Sequence, residues 1–309
     1  IPQLSADIID GFVNLEKEKE WVDYDNKAGI KQLAYFSMQG AEYLFSGYFG
    51  VGGPRAGSLE GVSDIVSGSK AMGAQLVGAF SAAWDSGVHN EAFWLGWATT
   101  MQYAWTATNP SVEQTVADFI DIYYGHDSPD MVEAYQLLEK GGRFYTRMWD
   151  RPVSKERGPG YTPPDGKGIG EKRMDEILDM PPVPSADLTF EPAFTKKYEQ
   201  KIAESRPLAE DMDKLAGILQ QHISKAHRNK YNLEVFLSIA YLERYSVKVF
   251  PRLARVESLL QAATRAKDKP ANAVNSLINA YKGVGAIISE LESFWPDFTA
   301  IWEKGRFKK

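Results

Sequence analysis

The residues best suited to chemistry lie in one short run, Trp84-Asp85-Ser86-Gly87-Val88-His89-Asn90-Glu91. An indole can stack on the apolar face of a sugar ring, and Asp85, His89 and Glu91 can exchange hydrogen bonds with ring hydroxyls. The run follows a small-residue apolar stretch, Ala79-Phe80-Ser81-Ala82-Ala83, and precedes an aromatic-rich helical stretch from Phe93 to Trp105. An apolar strand that empties into Trp, Asp, His and Glu at its C-terminal end is how an α/β barrel builds a sugar pocket. The bland alternative is a Trp in the top layer of the barrel, with polar residues that only cap the next helix.

Two further segments hold candidates. Tyr43 and Tyr48 flank an aromatic run read as a strand, where their odd spacing sends them to opposite faces. At most one can line a pocket, and Tyr48 is nearer the C-terminal rim; a tyrosine packed under helices is the competing reading. Trp21-Val22-Asp23-Tyr24 offers a second aromatic platform, with a helix staple around Asp23 or Asp25 as the alternative. Weaker groups carry less. His126 and Asp127 read as a turn. His222 and His227 are five apart and miss the i, i+4 spacing of a metal pair. Asp175-Glu176 sits in a charged connector, Arg306, Lys308 and Lys309 make a solvated basic end, and Gly50, Gly52, Gly53 and Gly57 make no dinucleotide fingerprint.

Positioning these residues requires strands and helices in alternation. Residues 8–15, 42–49 and 76–83 read as strands, and 25–39, 59–72, 90–105 and 111–124 as helices, with Asn90 as a candidate cap. Such spacing indicates parallel βαβ units. Three units are either the edge of a small open sheet or the last three of an eight-unit barrel, and the second reading is adopted. Residues 150–192 hold eight of the 16 prolines and read as a connector that wraps a surface. Residues 193–309 read as three helical segments, about 194–228, 231–267 and 271–305, broken at Asp268-Lys269-Pro270, and a three-helix bundle is the simplest packing. The expected organisation is therefore 1–149 barrel portion, 150–192 connector and 193–309 helical bundle.

Composition narrows the function. The 309 residues suffice for a sizeable core, and a net charge of −6 argues against a nucleic-acid partner. No apolar run is long enough to span a membrane. The absence of cysteine excludes disulfide and thiolate chemistry. Eight Trp, 15 Tyr and 15 Phe suit carbohydrate recognition, although most aromatics fill cores.

Trp84-Asp85-Ser86-Gly87 with His89 and Glu91, followed by Phe93-Trp94-Leu95-Gly96 and Gln102-Tyr103-Ala104-Trp105, resembles the family 20 glycoside hydrolases, the β-N-acetylhexosaminidases. The resemblance covers roughly residues 1–125, and the helical region ending Trp302-Glu303-Lys304-Gly305-Arg306 is similar to C-terminal extensions of such proteins. Where many members carry Glu-Tyr-x-Trp, this chain has Gln102 in the acidic position. The resemblance implies a (β/α)₈ TIM barrel and a retaining, substrate-assisted hydrolysis in which the 2-acetamido oxygen attacks the anomeric carbon. It implies no cofactor and no metal. Carried over, Trp84 walls the pocket, Asp85 or Glu91 binds sugar hydroxyls, and Tyr48 steadies the acetamide. The family's catalytic Asp-Glu pair has no match here, so the general acid is expected on an N-terminal segment outside this chain.

The expected partners are a glycan carrying N-acetylhexosamine and the N-terminal half of the same enzyme as a second chain, or else a homo-oligomer. Family habit suggests a periplasmic or secreted location. A catalytically inactive carbohydrate-binding or scaffold protein is the alternative, and a helical interaction protein a third.

Overall fold

The computed structural model describes residues 3–5, 15–37, 44–45, 47–49, 59, 73–82, 89–106, 110–125, 128–147 and 180–305. The chain forms two compact units, one of residues 1–143 with 217–237, the other of residues 144–216 with 238–309.

In the first unit, β1 (Gln3–Ser5), β2 (Gln32–Ser37) and β3 (Leu76–Ala82) make a parallel sheet in the order β1-β2-β3. Ala34 pairs with Ala79 and Ser37 with Ala82, with an irregularity between Gln32 and Leu33. The sequence Leu-Val-Gly-Ala-Phe-Ser-Ala of β3 suits a parallel strand, which favours continuous apolar runs. Gly78 leaves room for close approach, since a Cβ there would lie 3.1 Å from a Leu33 methyl, which would have to shift. Helix α1 (Leu15–Lys27) precedes β2, and Gln32 fixes the junction. Its amide donates to Asp25 (3.2 Å) and accepts from the Gln75 backbone N–H (3.1 Å).

Beyond β3, a one-turn 3₁₀ helix (Asn90–Phe93) runs into α2 (Trp94–Trp105). Then follow α3 (Val112–Tyr124) and α4 (Asp130–Arg147). Ser111 caps α3 by accepting from the Gln114 N–H, and Gly125 ends it in the left-handed region, at φ 76°. Helix α4 buries Met131, Ala134, Tyr135 and Leu138, the i, i+3, i+4, i+7 stripe of an amphipathic helix.

The second unit is helical. A short α5 (Phe194–Lys197) packs Phe194 and Tyr198 against Phe250, with Phe194 and Tyr198 centroids 4.9 Å apart. Long helices follow: α6 (Glu199–Lys225), α7 (Lys230–Arg265) and α8 (Pro270–Lys304). Pro270 opens α8 at the position where a missing N–H costs nothing. Gly283 of α8 lets Val256 approach, since a Cβ there would meet its methyl at 3.2 Å.

The expected fold class is corrected. Among the described residues the sheet is a small open ladder with two free edges, and helices dominate, so the barrel is not found. The expected helix over 25–39 is instead the end of α1 followed by β2. The described part of the expected strand 42–49 forms bends, in which Leu44, Phe45 and Tyr48 are buried. The expected strand 8–15 lies outside the described residues except for Leu15, which starts α1. The end of α6 and the start of α7 belong to the first unit. Residues 150–179 of the connector lie outside the described residues. Among the described residues no helix is long and apolar enough to cross a membrane.

Candidate functional site

The first unit gathers a polar network around the segment that follows β3. His89 is the N-cap of the 3₁₀ turn, its Nδ1 accepting the Glu91 N–H at 3.2 Å. Its Nε2 lies 3.3 Å from the Tyr231 hydroxyl, with the two rings edge to face. The cap is therefore His89, and not Asn90 as expected.

Glu91 is held from two directions. The Asn232 amide donates to its backbone carbonyl (2.8 Å) and to its carboxylate (3.0 Å). Burial, with the charge of the neighbouring Glu91 second, pushes the Tyr123 hydroxyl well above the usual phenol range, so it stays protonated beside the carboxylate. A carboxylate has about four lone-pair sites, so the Asn232 bond leaves Glu91 accepting capacity. Glu91 and Tyr123 are half-buried.

Behind them the network is buried. Tyr124 donates to the Asn232 carbonyl oxygen (2.7 Å) and shares a hydrogen bond with the Tyr135 hydroxyl (3.1 Å). Both phenols are fully buried, and burial raises both far beyond the ordinary value. An edge-to-face cluster of Phe45, Tyr135 and Phe236 supports them, with centroids 5.1–5.8 Å apart.

The candidate residues fare differently. Tyr48 is buried, and its hydroxyl proton goes to the Ala92 carbonyl. It anchors the turn that carries Glu91 instead of facing solvent. The structure therefore brings Tyr48, His89 and Glu91 together. Trp21 is 63% exposed on α1, with Val22 and Asp25 as the buried residues around it. Trp84 and Asp85 lie outside the described residues, as do His126, Asp127, Asp175, Glu176 and Arg306.

His222 joins a second polar group. Its Nδ1 meets the Ser128 hydroxyl (3.2 Å), and its Nε2 meets Asp130 (2.7 Å). The residue types are those of a nucleophile, a base and an orienting acid. Ser128 is buried, however, and its carbonyl receives the Met131 N–H at the start of α4. The group pins the C-terminal end of α6 to the beginning of α4.

Sequence reasoning missed Asn232, Tyr123, Tyr124, Tyr135 and Tyr231. Asn232 lies 141 residues from Glu91, and no local signal marks an asparagine one turn inside a helix as a partner for a distant carboxylate. Among the described residues, no group of three or more His, Asp or Glu could hold a metal ion. No protein-family model, curated protein or solved structure matches this chain.

Proposed function

We propose that the chain contributes sugar-binding groups to a retaining β-N-acetylhexosaminidase acting on terminal β-linked N-acetylhexosamine. The family's adjacent Asp and Glu would come from a segment other than this one. The observation that carries the reading is the presentation of Glu91. In the chain it comes nine residues after the end of β3, and open α/β sheets bind ligands outside the carboxyl ends of their strands. Its carboxylate is oriented by Asn232 and retains lone pairs for hydroxyl donors. Fixing the acceptor in advance removes the ordering cost that a mobile glutamate would bring to binding.

In this reading Glu91 accepts hydrogen bonds from ring hydroxyls, Trp84 stacks on the sugar face and Asp85 takes a further hydroxyl. His89 and Tyr48 position the turn: one caps it and the other holds its Ala92 carbonyl. The substrate's acetamido oxygen supplies the nucleophile. The neutral acid that protonates the leaving group lies on the other segment. An exported location suits this reading, since polymeric glycans lie outside the cell.

A carbohydrate-binding protein without hydrolysis is the second reading, favoured by Gln102 where the family pattern has an acid. Titration of the full chain with N-acetylglucosamine and N-acetylgalactosamine, read by tryptophan fluorescence, tests both. Saturable binding is expected, weakened about tenfold or more by Glu91→Gln, which corresponds to about 1.4 kcal/mol. Absence of binding, or a Glu91→Gln variant that binds as well as the parent chain, would sink the proposal. Hydrolysis of a chromogenic β-N-acetylglucosaminide after adding the segment with the Asp-Glu pair selects the first reading, and binding alone selects the second.

A further inference from the structure

We infer that the outer face of α8 is a self-association surface, on which two copies of this chain pair antiparallel about a two-fold axis near Gly285. The inference is independent of the glycan reading.

Val274, Tyr281, Ile288 and Trp295 recur at intervals of seven, and Ile278 sits between the first two. All five are exposed large apolar residues, Tyr281 by 80%. A solvated helix face carries scattered apolar residues; a strict seven-residue repeat over three heptads is the seam of a helix pair. In heptad terms the four residues occupy one core position, and Ile278, Gly285, Glu292 and Thr299 occupy the other.

The seam is self-complementary in the antiparallel sense. Inverting it about a point between Val284 and Gly285 exchanges Val274 with Trp295 and Tyr281 with Ile288, so a small residue meets a large one at each layer. Gly285 then falls at the crossing point, where a missing side chain lets two helices approach. A Cβ built on Gly285 meets nothing within 4 Å, so the space above it is open in the single chain.

Charge selects the orientation. The half of α8 before Gly285 carries only Lys282, whereas the half after it carries Glu290, Glu292, Asp297, Glu303 and Lys304. Parallel pairing would stack Glu292 on its own copy at a core position, which like charges disfavour. The same inversion brings Glu292 level with the other copy's Leu277, five residues or about 7.5 Å along the axis from its Lys282, at about 1.5 Å per residue. Long side chains span that gap. Within the described residues neither Lys282 nor Glu292 has an ion-pair partner. An interface of this kind is isologous and closes at two copies.

Sedimentation of the full chain tests the inference. A dimer is expected, with its dissociation constant raised about a hundredfold by Tyr281→Glu or Ile288→Glu, as for central apolar anchors. Circular dichroism checks that each variant stays folded, which an exposed position favours. Lys282→Glu and Glu292→Lys should each weaken the dimer, and the double variant should recover it. The chain has no cysteine, so single cysteines report geometry cleanly. Gly285→Cys chains should cross-link to each other, and Val274→Cys chains should cross-link to Trp295→Cys chains but not to themselves. A monomer at about 100 µM overturns the inference, as does a dimer indifferent to Tyr281→Glu and Ile288→Glu. Cross-linking of Val274→Cys to itself overturns the antiparallel assignment.

Discussion

Two glutamates on α7 sit fourteen residues apart, almost four turns, and both are fully buried, yet their surroundings are opposite. Glu257 meets the start of α5. Its carboxylate accepts the backbone N–H groups of Ala193, Phe194 and Thr195, each at 2.8 Å. Glu243 meets side chains that offer it nothing: among the described residues neither carboxylate oxygen has a hydrogen-bond partner. Burial alone would raise the Glu257 carboxyl, but the Thr195 and backbone bonds outweigh it and hold the group below the usual range. With nothing to oppose burial, the Glu243 carboxyl is pushed well above it. Burial opposes ionisation in both places, and the donor supply decides whether the carboxyl is a charged cap or a neutral acid.

The largest effect is expected on the satisfied side. Glu257→Ala leaves three N–H groups at the start of α5 without their acceptor and should cost about 3 kcal/mol in urea unfolding. Because the folded-state carboxyl is lowered, its contribution is present above the unfolded value. It is lost as pH falls through the folded one. Stability of the parent chain and of Glu257→Ala should therefore converge in acid, and a gap that persists unchanged to low pH would contradict this account.

Asn232 is the same kind of hub in the first unit, with Tyr124 on one side and Glu91 on the other. Asn232→Ala should cost about 2 kcal/mol, since it strands a buried phenol and a carbonyl. It should also loosen Glu91, so sugar binding should fall more than stability alone predicts. An Asn232→Ala chain that unfolds with the parent would show that the network is not a fixed support.

How far the sequence reveals these features depends on whether their cause is local. β3 is legible from its continuous apolar run, α3 in its span of 111–124, and the start of α8 from Asp268-Lys269-Pro270. β2 is hidden in the sequence because the apolar residues of Gln32–Ser37 extend the pattern of the preceding helix, and only pairing with β1 and β3 makes them a strand. The aromatic run around Phe45 and Tyr48 has strand composition, but its rings pack into a cluster with Tyr135 and Phe236 and form no ladder. α4 carries a readable amphipathic stripe that the strand-helix alternation obscured. At the site, His89 and Glu91 were visible as residue types in a short run. Their partners Tyr231 and Asn232 were not, because closure over some 140 residues leaves no mark on local spacing.

The unsatisfied side of the comparison yields the smallest change, and one of opposite sign. Glu243→Met keeps the length of the side chain and removes the carboxyl that burial penalises. At pH 7 the parent must either bury an uncompensated charge or bind a proton on folding, and both cost free energy. The variant should therefore be more stable by about 1–2 kcal/mol at pH 7. The sign follows from the raised carboxyl. Its penalty is absent below the unfolded value of 4.5 and grows as pH rises above it, until the folded-state value is passed. Urea midpoints of parent and Glu243→Met measured from pH 4 to pH 8 should diverge upward in favour of the variant, whereas those of parent and Glu257→Ala should diverge upward in favour of the parent. If Glu243→Met were less stable at neutral pH, Glu243 would be held by a donor that its dry surroundings do not reveal, and the two glutamates would be alike.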